Sequence, residues 1–169
     1  LEEGAKQSLS KIDMFMGALR ENIISAKFSV CSIKACVEEA LQDGYFKGEE
    51  VQKGLLLRLD DDFKAKVPKV FFKHIIYNLV KNAYWHGGAT RVVITLDVAK
   101  RSLCVEDNGG GIDAARLPYI FDLFYTSGSG SGIGLALVKV IVEGFGGSIH
   151  CDSKKGKGSY TKFVVRFPR

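Results

Sequence analysis

Apolar residues recur at three- and four-residue steps through four stretches of the chain, and this spacing predicts amphipathic helices. We predict helices over residues 5–28, 32–41, 68–85 and 132–145. Pro68 suits the first turn of the third helix. Gly87 and Gly88 follow that helix, and glycine commonly ends helices. Four predicted helices are therefore separated by non-helical segments of the chain.

Short runs rich in β-branched residues, bounded by glycine or charged residues, predict strands. We expect strands at residues 54–59, 91–98, 102–106, 148–152 and 160–167, and a short helix near residues 114–121. Helices and strands alternate irregularly, and several strands are linked as hairpins. This order favours an α/β two-layer sandwich, with a mixed, mostly antiparallel sheet packed on helices, over a doubly wound parallel sheet.

The composition of the chain indicates a single domain with a mild positive charge. The chain has 169 residues, 46% hydrophobic content and a net charge of +5, which is enough apolar material for one ordinary core. The densest basic cluster is Lys154, Lys155, Lys157 and Lys162. A nucleic-acid surface shows a sustained basic stripe with aromatic residues, so we expect no nucleic acid. A phosphate-bearing ligand or an acidic protein partner fits this charge.

The four cysteines contain no CxxC pair and indicate reduced thiols in a cytosolic domain rather than a metal site or a disulfide framework. No apolar run approaches the roughly 20 residues of a membrane span, and no signal peptide is evident. Because the chain starts with Leu1 rather than methionine, we expect an excised fragment with flanking domains.

The predicted third helix carries a row of polar residues spaced four apart, made of His74, Asn78, Asn82 and His86. An apolar stripe lies beside this row: Phe72, Ile75, Leu79 and Ala83. The row therefore borders the core, as the wall of a cleft does. Asparagine is a mediocre helix former, and its amide oxygen suits Mg²⁺. The helix alone leaves open whether Asn78 and Asn82 bind a ligand or simply hydrogen-bond to solvent or a loop.

An acidic residue at the end of a predicted strand opens a turn with three glycines. The segment reads Asp107-Asn108-Gly109-Gly110-Gly111-Ile112. Successive glycines let the backbone adopt positive φ and let a flat ligand come close. A carboxylate placed here accepts a hydrogen bond from an exocyclic amine, such as that of adenine. A plain Asp-Gly turn remains the alternative.

A second glycine run opens the last predicted helix, with glycine at every second position of Gly128-Ser129-Gly130-Ser131-Gly132-Ile133-Gly134-Leu135. Unblocked N–H groups at a helix N-terminus bind phosphate, helped by the helix dipole. A Ser-Gly linker remains the alternative. Two better-known phosphate loops are excluded, since the chain has neither G-x-x-x-x-G-K-[ST] nor a G-x-G-x-x-G after a strand.

Taken together in this order, the three segments resemble the ATP-binding domain of the GHKL superfamily, over roughly residues 28–168. That superfamily holds sensor histidine kinases, DNA gyrase-type topoisomerases, heat-shock chaperones and MutL-type repair proteins. Residues 78–86 are similar to its N box, residues 107–112 to its first glycine box and residues 130–135 to its second. Phe121 and Phe124 match the phenylalanine box of the histidine kinases. The closing motif of the domain is matched by Thr161, Phe163 and Pro168.

The resemblance implies a role for each box. It implies that Asn82 holds Mg²⁺ and that Asn78 supports the phosphates, so these are the expected catalytic residues. It also implies that Asp107 receives the adenine amine with help from Thr161, and that residues 126–131 form the ATP lid. The other expected nucleotide contacts are His86, Gly109, Gly111, Ile112, Gly130, Ser131, Gly132, Ile133, Gly134 and Leu135.

The residue four positions before Asn82 separates the branches of the superfamily. ATP-hydrolysing members carry a glutamate there to activate water, whereas this chain has Asn78. An amide takes no proton, so the resemblance implies a histidine kinase that transfers the γ-phosphoryl group of Mg-ATP, mainly by positioning and charge neutralisation. The alternatives are a GHKL ATPase, a serine-phosphorylating anti-sigma-type kinase, or a degenerate interaction module. Trp85 supports the last, because many kinases have lysine or arginine there.

No histidine of the chain lies where a phospho-accepting histidine is expected. His74 and His86 belong to the predicted ATP helix, and His150 to a late strand. We interpret residues 1–27 as the end of a dimerisation and phosphotransfer helix, and residues 28–169 as the catalytic domain. The fragment would be a monomer, or a weak dimer through that helix. Its implied partners are the dimerisation domain and a receiver domain or response regulator.

The segment from Gly146 to Ser153, with Phe167-Pro168, is similar to hybrid quorum-sensing kinases. This similarity implies a cytoplasmic catalytic domain within an inner-membrane sensor. The sequence names neither the signal nor the response regulator.

Overall fold

The computed structural model describes residue 14 and residues 16–42, 46, 48–126 and 130–169. In chain order the elements are α1 (residues 16–25), β1 (Ser29–Ser32), α2 (Ile33–Gln42), α3 (Glu49–Gly54), β2 (Leu55–Arg58), β3 (Lys64–Val67), α4 (Lys69–Lys81), β4 (Val92–Asp97), β5 (Ser102–Asp107), α5 (Gly134–Gly144), β6 (Ser148–Lys154) and β7 (Tyr160–Arg166). The first helix ends at residue 25 rather than 28, because β1 begins soon after it. Residues 5–13 and 15 of the predicted helix lie outside the described residues.

Five strands form the main sheet in the order β2-β4-β5-β7-β6. The pair β2–β4 is parallel, and the pairs β4–β5, β5–β7 and β6–β7 are antiparallel. The predicted mixed, mostly antiparallel sheet is therefore confirmed. The pairing of β5 with β7 brings together two segments that are distant in the chain, since α5 and β6 lie between them in sequence.

The helix α4 is the centre of the helical layer, because it contacts both α2 and α5. Its residues Ile75, Ile76 and Leu79 are buried in one core with Ile94 and Leu103 from the sheet. Burying one such side chain contributes roughly 1.5–3 kcal/mol. The apolar face thus fixes α4 against the sheet, and with it the polar row that borders that face.

The end of α4 differs from the single long helix that the sequence predicts. The α-helix stops at Lys81, and a π-helical turn, Asn82–His86, follows. The N–H of Gly87 bonds to the carbonyl of Asn82 at 2.8 Å, a five-residue step that widens the turn. His86 therefore lies off the regular row that continues through Asn78 and Asn82. π-turns inside helices are frequent at functional sites.

A second, two-stranded sheet pairs β1 with β3 antiparallel, and the sequence did not predict it. In β3 the buried residues Ala65 and Val67 alternate with exposed Lys64 and Lys66, but alanine and lysine are weak strand formers. The short helix α3 was also missed. The helix expected near residues 114–121 is a single 3₁₀ turn, Leu117–Tyr119.

Candidate functional site

Asp107 is a buried carboxylate at the end of β5, with 5% of its surface exposed. Its Oδ1 accepts the N–H of Gly109 at 2.8 Å. Burial raises the pKa of Asp107, the bond from Gly109 lowers it, and nearby Glu106 raises it. No cation of the described residues contributes to that shift. Because an unpaired buried carboxylate is unfavourable, this site is suited to a ligand that donates hydrogen bonds.

Two hydroxyl side chains continue the row of Asp107 across the sheet. Thr161 on β7 lies opposite Asp107 on β5, and Ser153 on β6 lies opposite Thr161. Register partners in antiparallel strands place their side chains on the same face. Thr161 is only 5% exposed, and its Oγ1 lies 3.2 Å from Ser153 Oγ. The sheet thus assembles an acid and two hydroxyls in one line.

The glycine turn after Asp107 is held in place from two sides. Asn108 Oδ1 accepts the N–H groups of Thr90 and Arg91 at 3.1 and 2.8 Å. The N–H of Gly110 bonds to the carbonyl of Gly87 at 2.8 Å, at the end of the π-turn. These bonds hold the glycine turn against the π-turn that follows α4. Asn108 acts here as a structural clip, a role that the sequence did not assign to it.

The carboxamide of Asn78 faces the start of α5. Its Nδ2 donates to the carbonyl of His74 at 2.8 Å, within the same helix. A Cβ added to Gly134 would lie 2.6 Å from Asn78 Oδ1, so that oxygen abuts the first residue of α5. The polar row of α4 and the glycine segment that opens α5 therefore meet at this contact.

Asn82 is the one described residue with a buried side-chain polar atom that lacks a hydrogen-bond partner, and the atom is Nδ2. A buried unsatisfied amide is uncommon and calls for an explanation. It lies at the junction of α4 and the π-turn. No hydrogen bond to this nitrogen from the described residues therefore fixes the orientation of the amide.

The segment before α5 closes the site from the other side. Phe124 has a φ of 63° and Gly132 a φ of 68°, and the N–H of Phe124 bonds to the carbonyl of Gly132 at 2.9 Å. A Cβ on Gly130 would lie 3.1 Å from His86 Cε1. The described ends of the predicted lid therefore sit beside the π-turn, while residues 127–129 lie outside the described residues.

Contacts link most of the predicted residues into one rim. It runs from Thr161 to Asp107, through the glycine turn to Gly87, and along the π-turn to Asn78 and the start of α5. Ile112 and Leu135 differ from the others, because their partly buried side chains pack against the core. Ser153 was missed, although counting the register of the last hairpin back from Thr161 would have found it. The contacts of these residues with a nucleotide stay predictions.

Comparison with known proteins yields one family over most of this region. A family model described as histidine kinase-, DNA gyrase B-, and HSP90-like ATPase matches residues 68–169. The matched range contains α4 with its polar row, both glycine segments and β7.

Several similar proteins are sensor kinases. The autoinducer 1 sensor kinase/phosphatase LuxN of Vibrio harveyi is 31% identical over 147 residues, covering 83% of this chain and 17% of LuxN. The CAI-1 autoinducer sensor kinase/phosphatase CqsS of Vibrio cholerae is 32% identical over 164 residues, covering 94% of this chain and 24% of CqsS. The sensor kinase CckA of Brucella abortus is 47% identical over 143 residues, covering 70% and 15%. The chain thus spans a quarter or less of each relative.

Solved structures share the fold. The histidine kinase AdeS of Acinetobacter baumannii superposes with a TM-score of 0.67 at 24% identity, covering 99% of this chain and 80% of that one. The mycobacterial sensor histidine kinase MprB gives a TM-score of 0.67 at 20% identity, covering 84% and 97%. None of the helices in the described part of this chain has the length and apolar character needed to cross a bilayer.

Proposed function

We propose that this chain transfers the γ-phosphoryl group of ATP to a histidine on a dimerisation domain. The chain belongs to the family of histidine kinase-, DNA gyrase B- and HSP90-like ATPases, and it is a catalytic ATP-binding domain of the sensor histidine kinase type. The observation that carries the proposal is Asp107, a buried carboxylate with no cation partner among the described residues. Its Oδ1 is held by Gly109, which leaves Oδ2 for the exocyclic amine of adenine.

The phosphate end of the site follows from the contact between Asn78 and Gly134. Asn78 Oδ1 lies against the first residue of α5, where free backbone N–H groups and the helix dipole favour a phosphate. A glycine at this position keeps the approach open. In this proposal the base binds at Asp107, at one end of the rim, and the phosphates bind at Gly134, at the other.

A kinase, rather than a hydrolase, fits the bonding of Asn78. Hydrolysis needs a group that accepts a proton from water, and a carboxamide is not such a group. The Nδ2 of Asn78 is already bonded to the carbonyl of His74. Without a base at this position, attack of water on ATP lacks general-base catalysis, and an acceptor histidine is the better nucleophile. The phosphoryl group is then transferred mainly by alignment and electrostatics.

The chemistry of Asn82 fits a Mg²⁺ ion bound together with ATP. Mg²⁺ takes oxygen ligands and keeps waters and phosphates among them. Asn82 is a partly buried residue, and its buried Nδ2 has no hydrogen-bond partner among the described residues, so no bond to that nitrogen holds the amide in one orientation. When bound, Mg²⁺ supplies neutralisation of phosphate charge. Asn82 would hold it.

The partners and the location of the whole protein are part of the same proposal. We propose that residues 1–27 belong to the dimerisation and phosphotransfer domain, and that a receiver domain or response regulator takes the phosphoryl group onward. Relatives named as autoinducer sensor kinases support a quorum-sensing role. We place the whole protein in the inner membrane, with residues 28–169 on the cytoplasmic side.

Two measurements on this chain test the proposal. Calorimetric titration with ATP and MgCl₂ should show saturable binding. Incubation with γ-labelled ATP and a dimerisation domain should then label the acceptor histidine, giving an acid-labile phosphate. The same domain with its acceptor histidine replaced by alanine is the control and should stay unlabelled.

The outcomes separate the alternatives. Rapid ATP hydrolysis without an acceptor would favour a GHKL ATPase, and label on serine would favour an anti-sigma-type kinase. Absence of binding at millimolar ATP would leave a non-catalytic module. Trp85 is the observation behind that last alternative, since it is 58% exposed and stands where a basic residue would contact phosphate.

A further inference from the structure

The hydroxyl of Ser153 sits at the centre of a hydrogen-bond group behind the adenine end of the proposed site. Ser153 Oγ donates to the carbonyl of Tyr160 at 2.6 Å. It accepts the N–H of Ile112 at 2.8 Å. Its third contact is Thr161 Oγ1 at 3.2 Å. The side chain therefore joins the last hairpin to the end of the glycine turn.

The direction of the bond between the two hydroxyls follows from counting protons. A serine hydroxyl has one proton and two lone pairs. A carbonyl only accepts, so the proton of Ser153 goes to Tyr160. A backbone N–H only donates, so Ile112 takes one lone pair of Ser153. What remains on Ser153 is one lone pair, and Thr161 must donate its proton to it.

This direction leaves Thr161 without a proton for a ligand. Its oxygen offers lone pairs, and so does Asp107 Oδ2, which accepts no hydrogen bond among the described residues. The two residues are cross-strand partners on one face of the sheet. Both groups at this end of the site are thus acceptors. At position 6, a 6-amino purine presents donors to them, whereas a 6-oxo purine presents an acceptor.

We propose that Ser153 is a positioning residue that fixes the hydroxyl of Thr161 as an acceptor and thereby makes the site select 6-amino over 6-oxo purine nucleotides. The inference rests on the proposed function and adds a determinant of base selectivity. Ser153 itself need not touch the nucleotide. Sites built to pair one hydrogen-bonding pattern reject the wrong pattern strongly, because buried polar groups are then left unpaired.

The test compares ATP with inosine triphosphate, which differs from it in the 6-oxo group, by calorimetric titration in MgCl₂. The wild-type chain should prefer ATP. In Ser153→Ala the proton of Thr161 is released and can turn to the 6-oxo group, so the ratio of the two affinities should fall by about tenfold, which is a change of about 1.4 kcal/mol. Ser153→Thr keeps a hydroxyl and should retain the wild-type ratio.

A matched control is Ser148→Ala, which makes the same change at the exposed start of the same strand and should leave both affinities unchanged. General loosening of the site would weaken the binding of both nucleotides alike. The ratio of the two affinities therefore distinguishes a positioning role of Ser153 from a structural one. If Ser153→Ala does not fold, Thr161→Val should lower the ratio, because ATP alone loses a contact. An unchanged ratio in whichever variant folds overturns the inference.

Two possible results with the wild-type chain also test the inference. Equal affinity for the two nucleotides overturns the inference and leaves the proposed function standing. Binding of neither nucleotide overturns both.

Discussion

Asn78 and Gly134 meet so closely across the junction of α4 and α5 that a Cβ at position 134 would lie 2.6 Å from Asn78 Oδ1. The Nδ2 of the same amide is bonded to the carbonyl of His74, so the side chain cannot retreat without losing that bond. The first residue of α5 and the polar row of α4 are therefore adjusted to each other.

Gly134→Ala tests this contact. The added methyl group should displace the Asn78 amide and weaken ATP binding by tenfold or more, since hydrogen bonds to charged groups are worth about 1.5–3 kcal/mol. Helix content by circular dichroism should not fall, because alanine favours helices. Gly48→Ala is the control, since its Cβ would be 4.0 Å from Val51 Cγ2. Unchanged ATP affinity in Gly134→Ala would remove Asn78 from the phosphate site.

The three consecutive glycines after Asn108 should tolerate alanine very differently. A Cβ on Gly109 would collide with the carbonyl of Gly87, and a Cβ on Gly111 with the carbonyl of Lys154. Gly111 also has a φ of 72°, where a non-glycine residue costs about 1–3 kcal/mol. A Cβ on Gly110 would lie 3.8 Å from its nearest neighbour.

Urea unfolding should therefore separate the three variants. Gly109→Ala and Gly111→Ala should lower the free energy of unfolding clearly and weaken ATP binding. Gly110→Ala should stay within about 0.5 kcal/mol of the wild type, and it serves as the control within the same turn. Equal effects at all three positions would show that the turn is not held as the structure describes.

Asp107→Asn should separate stability from binding. Burial raises the pKa of Asp107, so the folded state favours the protonated carboxyl more than the unfolded state does. The wild type therefore loses stability as the pH rises from the ordinary aspartate pKa, about 3.9, through the raised value. Asparagine does not titrate and keeps an oxygen for Gly109.

Melting temperatures across this pH range give the measurement. At neutral pH the variant should melt above the wild type, and the difference should shrink towards about pH 4. ATP should raise the melting temperature of the wild type and not that of the variant, since binding to the folded state alone stabilises it. A variant that is less stable at neutral pH, or that still responds to ATP, contradicts this account of Asp107.

Asn82→Ala should remove the effect of Mg²⁺ with little change in stability. The Nδ2 of Asn82 has no partner in the described structure, so its loss leaves no donor or acceptor newly unsatisfied. In the wild type, ATP with MgCl₂ should stabilise more than ATP with a chelator. In the variant the two should be equal. The control is Asn22→Ala on the exposed side of α1, and a retained Mg²⁺ increment in Asn82→Ala would place the metal elsewhere.

The elements that the sequence predicted are those with local signals. The strands β4 and β5 form a hairpin whose residues are β-branched and whose turn is short, and the stripe of α4 repeats over several turns. Glycines and Pro68 mark their ends. These signals sufficed to predict the sheet type, and Asp107 at the end of a strand.

The parts that were missed depend on distant contacts or on single-residue detail. The facing of Asp107 and Thr161 needs β5 beside β7, and nothing local in either strand specifies that neighbour. The π-turn adds one residue to a helical turn, which is finer than a hydrophobic repeat resolves. The strands β1 and β3 are stabilised by each other rather than by their own propensities.

A crystal structure of this chain with Mg²⁺ and a non-hydrolysable ATP analogue tests the central claim most directly. We expect the 6-amino group of adenine within hydrogen-bond distance of Asp107, the metal on the oxygen of Asn82, and the phosphates beside Gly134. An analogue whose base lies away from Asp107, with that carboxylate still unpaired, would contradict the account.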